Sequence, residues 1–140
     1  MNERGSEAFV EAQVPGSVLS ALLVGHRTSD PFFGMNEEEA RELFRKDYFF
    51  STEFELLPEL YEQEKIVLCC KGIDTLAHVY VNNMLAGTCD NMHRTYNFDV
   101  KQLLRPGINM IMVELLSPIN YVENRMPTTN KEINCVPEGT

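Results

Sequence analysis

The residues best suited to chemistry fall in one short polar loop. In "GTCDNMHRTY" (87–96), Asp90 and Asn91 stand side by side between two stretches of alternating apolar residues. A carboxylate beside an amide can accept and donate hydrogen bonds to a neutral polyol. The same pair also makes an ordinary turn by bonding its own backbone. Glu37, Glu38, Glu39 and Glu42 resemble a set of paired carboxylates, but their spacing fits the first turn and solvated face of a short helix. His26, His78 and His93 have neither metal-ligand spacing nor a serine or cysteine partner set, and His78 reads as a strand surface residue. Cys69, Cys70, Cys89 and Cys135 contain no C-x-x-C pair, so no metal and no cofactor are expected, and the thiols read as reduced.

With 12 basic against 21 acidic residues, the formal charge is −9. Nucleic acid and an anionic membrane surface are repelled by that balance. A neutral substrate such as a sugar is neither selected nor disfavoured. The 140 residues, 44% of them hydrophobic, suit a single domain spanning 1–140. No charged start followed by an apolar run opens the chain and no run reaches membrane-spanning length, so a cytoplasmic location is expected, with lysosomal or secreted placement left open.

The loop must be carried by a scaffold, and the apolar periodicity shows which kind. Ser17 stands as an N-cap before Val18–Leu23, with Gly25 ending a brief helix. Asn36 is expected to cap a second helix, with Glu37–Glu39 in its first turn and Arg45 and Lys46 closing it. In "YFFSTEFEL" (48–56) the period changes to two, with Tyr48, Phe50, Thr52, Phe54 and Leu56 on one face. The stretches 66–71, 78–82, 85–89, 96–100 and 108–116 repeat the strand signature, separated by Gly72, Asn82-Asn83, Asp90-Asn91 and Pro106-Gly107. The Asn82-Asn83 pair suits a two-residue hairpin. "INMIMVELL" (108–116) is apolar on both faces, which calls for a covering loop or another domain. Residues 119–140 are polar and expected to be irregular. Many short strands predict an all-β sandwich.

The motifs "VPGSVLSALL" (14–23), "DPFFGMNEEEARELF" (30–44), "KDYFFSTEFEL" (46–56), "KGIDTLAHVYVNNMLAGTCDNMHRTYNFDV" (71–100) and "LLRPGINMIMVELLSP" (103–118) resemble, in order, the N-terminal sugar-binding domain of glycoside hydrolase family 2 β-mannosidases. "GIDTLAHVYVNN" is shared with the galactosidase and glucuronidase branches, whereas "VPGSV" coupled to "DPFFG" points to the mannosidase branch. The resemblance implies a jelly-roll β-sandwich of galactose-binding-domain type, with short peripheral helices, beside a (β/α)8 catalytic barrel. It implies hydrolysis of terminal non-reducing β-D-mannose residues with retention, by two glutamates on the barrel. Retention needs two carboxyl groups about 5 Å apart, and because the resemblance places both on the barrel, none of the catalytic groups is expected in this chain, which alone should be inactive.

By the same resemblance, Asp90 would hydrogen-bond a sugar hydroxyl with Asn91 beside it, and the sandwich would dock intramolecularly on the barrel. Phe32 and Phe33 are expected to plug the sandwich edge or to dock on a neighbouring domain. Two departures stand out: this chain has no tryptophan where the family usually carries one near "KDYFFSTEF", and it stops before the strands and the tryptophan- and aspartate-bearing loop that follow in the family. A C-terminally truncated sandwich is therefore expected, which would also explain the doubly apolar strand. The competing readings are a free-standing carbohydrate-binding module, with Tyr80 or Tyr96 stacking on the sugar, another family 2 member (β-galactosidase or β-glucuronidase), and a pure interaction domain.

Overall fold

The computed structural model describes residues 1–125. The described residues form seven strands, β1 (Asn2–Glu3), β2 (Tyr48–Leu56), β3 (Val67–Lys71), β4 (Ala77–Val81), β5 (Met84–Cys89), β6 (Thr95–Asp99) and β7 (Gly107–Leu115), and four short α-helices, α1 (Val18–Val24), α2 (Asn36–Leu43), α3 (Pro58–Tyr61) and α4 (Pro118–Arg125). The strands form a five-stranded sheet in the order β1-β2-β7-β4-β5 and a two-stranded sheet of β3 and β6. Every pairing is antiparallel. This is a two-sheet antiparallel β-sandwich with short peripheral helices, and each long strand lies within a residue of where alternation placed it.

The inner faces of the two sheets meet in the core. Val79 and Val81 of β4 are fully buried, with Ala77, Cys89, Leu56, Val100 and Leu104 around them. Ile111, Val113 and Leu115 of β7 complete that layer from the large sheet, and Leu68, Cys70, Tyr96 and Phe98 from the small one. Cys69 and Cys70 do face opposite ways, exposed and half-buried respectively. Outside the sandwich, α1 packs Ala21 and Leu22 onto Met1 and Tyr48. Its start is a reciprocal cap in which the Ser20 amide donates to Ser17 Oγ at 3.1 Å and the Ser17 amide to Ser20 Oγ at 2.9 Å.

Turn chemistry sets the register of β4 and β5. Asn82 and Asn83 both adopt left-handed backbone, φ 50° and 66°, as a two-residue hairpin with strand-matched twist requires. Asn82 also ties that hairpin to β7: its Nδ2 donates to Asn109 Oδ1 and to the Leu103 carbonyl, each at 2.8 Å, and its Oδ1 accepts from the Met110 amide at 3.0 Å. Asn109 itself is completely buried.

Three expectations need correction. Asn36 is the first residue of α2 and does not cap it; the N-cap is Met35, and Asn36 Nδ2 reaches back to donate to the Asp30 carbonyl at 2.9 Å. The stretch from 119 is not irregular throughout, because α4 occupies Pro118–Arg125, with proline at its first position and Ser117 Oγ accepting from the Asn120 amide at 3.2 Å. The remainder of 119–140, from 126 on, lies outside the described residues. Phe32 and Phe33 do not plug the sandwich edge, for they are 96% and 78% exposed.

Candidate functional site

The Asp90-Asn91 loop carries the chain from β5 in the large sheet to β6 in the small one, so it sits on an end of the sandwich. Buried Cys89 anchors its start. Tyr96, two residues after the loop turns back, holds Asp90: its hydroxyl donates to Asp90 Oδ1 at 2.7 Å and accepts from the Asp90 amide at 3.1 Å. One carboxylate oxygen is thereby fixed, while Oδ2 has no partner among the described residues, and Asp90 is solvent-exposed. A carboxylate oriented in this way is an acceptor ready for a ligand hydroxyl.

Asn91 behaves differently. Its Oδ1 accepts from the His93 amide at 2.9 Å, and its carbonyl from the Arg94 amide at 3.2 Å. These bonds shape the turn. The loop therefore contributes Asp90 toward solvent and uses the Asn91 carbonyl side of its amide for its own geometry. Neither neighbouring thiol is a nucleophile in waiting. Burial, and secondly the Asp90 charge, push the Cys89 thiol up, and burial pushes Cys70 up to about 11.

A second polar cluster lies on the outer face of the large sheet, and sequence reading missed it. Glu114 of β7 is almost wholly buried, yet its Oε2 meets His78 Nδ1 at 2.9 Å and accepts from the Tyr80 hydroxyl at 3.1 Å. Arg4 reaches Glu114 Oε1 at 3.2 Å and Asp47 Oδ2 at 3.1 Å. His78 and Glu114 are direct cross-strand partners, as the register Ala77↔Leu115 dictates. The available signal was the outward position of His78 and Tyr80 in β4, but nothing in the sequence pointed to Glu114 or Arg4. These contacts also cover part of the outer face of β7, where Met110 and Met112 are half-buried, so β7 is a central strand partly covered by this chain itself.

The acidic run 37–39 is exposed on the first turn of α2, with Glu37 paired to Arg41 at 3.0 Å and Glu42 to Arg45 at 3.4 Å. It is a solvated helix face. A concavity of about 450 Å³ opens beside Tyr48, Phe50, Val113 and Leu115, with Lys46, Lys71 and Asp74 among its polar groups. A second, of about 360 Å³, is lined by His26, Arg27, Thr28, Ser29, Glu39 and Leu43. Among the described residues each is lined by one carboxylate, Asp74 in the first and Glu39 in the second, whereas acid-and-nucleophile glycoside cleavage requires two facing one bond. Tyr96 stacks on Phe98 at 6.2 Å within the inter-sheet layer, and the Tyr80 hydroxyl is taken by Glu114. Among the described residues no group of His, Cys, Asp or Glu could hold a metal ion, and no helix is long and apolar enough to cross a membrane.

The family model "Glycosyl hydrolase 2 galactose-binding domain-like" matches residues 1–140. A β-mannosidase from Capra hircus is 34% identical over 114 residues, covering 81% of this chain and 13% of that protein. A mannosylglycoprotein endo-β-mannosidase from Lilium longiflorum is 32% identical over 119 residues, 81% of this chain and 12% of that protein. The crystal structure of a β-D-mannosidase from Dictyoglomus thermophilum superposes with a TM-score of 0.85 at 33% identity, covering 89% of this chain and 15% of that one. The chain thus spans roughly one-eighth of the length of the curated relatives it matches.

Proposed function

Because the chain belongs to the glycosyl hydrolase 2 galactose-binding domain-like family, we propose that it serves as the accessory sandwich domain of a β-mannosidase-like hydrolase. In this reading it forms one wall of a sugar pocket whose two catalytic carboxylates stand on a separate (β/α)8 domain, and the larger protein removes terminal β-D-mannose with retention. The observation that carries it is the superposition at TM-score 0.85 on a β-D-mannosidase of which this chain corresponds to only 15%. The chemistry agrees, since among the described residues each concavity offers a single carboxylate and glycoside cleavage needs a pair.

Within that pocket, Asp90 accepts a hydrogen bond from a sugar hydroxyl through Oδ2, steered by Tyr96 on Oδ1. Asn91 holds the turn and lies beside the sugar. The free-standing binding-module reading, in which Tyr80 or Tyr96 stacks on the sugar, loses support at Tyr96, whose ring already stacks on Phe98. The test is Asp90→Ala in the full-length hydrolase. Loss of a bond to a charged acceptor, about 1.5–3 kcal/mol, lowers kcat/KM for an aryl β-mannoside by about 10- to 100-fold. An unchanged kcat/KM removes Asp90 from the pocket.

A further inference from the structure

The turn at Asp30–Gly34 presents two phenylalanines to water that the fold makes no use of. Phe32 is 96% and Phe33 78% exposed, and Met35 beside them is 72% exposed. A single bare apolar side chain is common, but three within four residues form a patch. The backbone beneath them is nevertheless fixed. Asp30 Oδ1 accepts from the Phe32 amide at 3.0 Å, the Asp30 carbonyl from the Phe33 amide at 3.2 Å and from Asn36 Nδ2 at 2.9 Å, and Gly34 turns the chain at φ 64°. A turn ordered in advance loses little backbone freedom on docking.

We propose that Phe32 and Phe33 are an interdomain plug, seated in an apolar recess with a basic rim on another domain of the same polypeptide. The proposal rests on the reading above, that this chain is one part of a larger hydrolase. Two observations choose that occupant. The chain corresponds to 13% of the goat β-mannosidase and 15% of the bacterial β-D-mannosidase, so in those proteins the matched unit has a large remainder of polypeptide to pack against. Exposed Glu37, Glu38 and Glu39 follow the patch directly, which favours a cationic rim.

The alternatives fit less well. A second copy meeting at the same patch through a two-fold axis would bring those glutamates against their own equivalents, in a chain of formal charge −9. A sugar stacked on Phe32 would want polar side chains free to fix its hydroxyls, but Asp30 Oδ1 and Asn36 Nδ2 are already bonded within the turn.

The test places a benzophenone amino acid at position 33 of the full-length protein, with photo-crosslinks mapped by mass spectrometry and aryl β-mannoside hydrolysis followed on the same sample. Attachment within one molecule to an apolar segment outside 1–140, flanked by Lys or Arg, is the expected result. A Phe32→Ser, Phe33→Ser double variant should then speed proteolytic release of this domain at least several-fold, because the substituted side chains are exposed and the sandwich itself is untouched. Attachment only to a second copy or to added mannoside, or no crosslink together with unchanged proteolysis, overturns the proposal. Hydrolysis separates the two readings: a hydrolase without the crosslink has lost the plug alone, while the crosslink in a protein that cleaves no glycoside leaves the plug and removes the hydrolase.

Discussion

The Tyr96 hydroxyl both donates to Asp90 Oδ1, at 2.7 Å, and accepts from the Asp90 amide, at 3.1 Å. The loop's one unsatisfied carboxylate oxygen is therefore aimed by a side chain rooted in the next strand. Tyr96→Phe keeps the stacking on Phe98 and removes both bonds, at a cost of about 1 kcal/mol. The urea midpoint should fall slightly and the Asp90 amide should exchange faster. In the full-length protein, kcat/KM should drop less than for Asp90→Ala, because the carboxylate remains but is no longer oriented.

Asn109 saturates its hydrogen-bonding capacity in the interior. Its Oδ1 accepts from Asn82 Nδ2 at 2.8 Å and the Arg105 amide at 2.9 Å, and its Nδ2 donates to the Arg105 carbonyl at 2.7 Å and the Gly107 carbonyl at 2.8 Å. Asn109→Ala strands buried donors and acceptors at a penalty of about 1–3 kcal/mol. Asn82→Gly retains the left-handed turn but gives up the tie to β7, and should cost about 1–2 kcal/mol. The double variant should cost less than the sum, as a shared bond requires, and chemical denaturation of all three proteins checks this.

Gly87, opposite Val79 beside the register shift in β4–β5, has no room for a side chain. A Cβ there would overlap the Phe98 ring. Gly87→Ala should destabilise by about 1–3 kcal/mol, whereas Gly5→Ala, with open space around it but φ 82°, should cost only backbone strain of about 1 kcal/mol. Thermal unfolding distinguishes the two.

Alkaline pH should weaken the fold. Burial, with Glu3 adding to it, pushes the Tyr48 phenol up from 10.0 to about 12, and burial pushes Cys70 from 9.0 to about 11. Both groups keep their protons longer folded than unfolded, so the folded state binds more protons and stability falls as pH rises. The contribution is whole below pH 9 and is lost between about pH 9 and 12. Denaturant midpoints at pH 8 and pH 10.5 should differ, and Cys70→Ala should flatten the early part of the decline.

Strand positions were legible because a period of two survives in each half-buried strand: Tyr48, Phe54 and Leu56 turn inward as their alternation required, and Asn82-Asn83 declared its turn by residue type. Polar burial was not legible. Glu114 lies in an apolar run and reads as the outward residue of a strand, yet Arg4, more than a hundred positions earlier in the chain, and His78 and Tyr80 on the adjacent strand enclose it. Pairings of that kind are created by strand order, which periodicity does not encode. At the loop, residue types identified Asp90 and Asn91 but could not divide their tasks, because the division depends on Tyr96 pointing into the inter-sheet layer. The helix at Pro118–Arg125 was hidden by its polar composition, although Ser117-Pro118 is a legitimate start.

The most direct measurement compares the full-length protein with residues 1–140 alone, using aryl β-mannoside, β-galactoside and β-glucuronide substrates and reading the anomer first released. The account predicts cleavage of the mannoside with retention by the full-length protein and none by 1–140. Mannoside cleavage by 1–140 unaided, or a full-length protein that cleaves the galactoside or glucuronide and spares the mannoside, would contradict it.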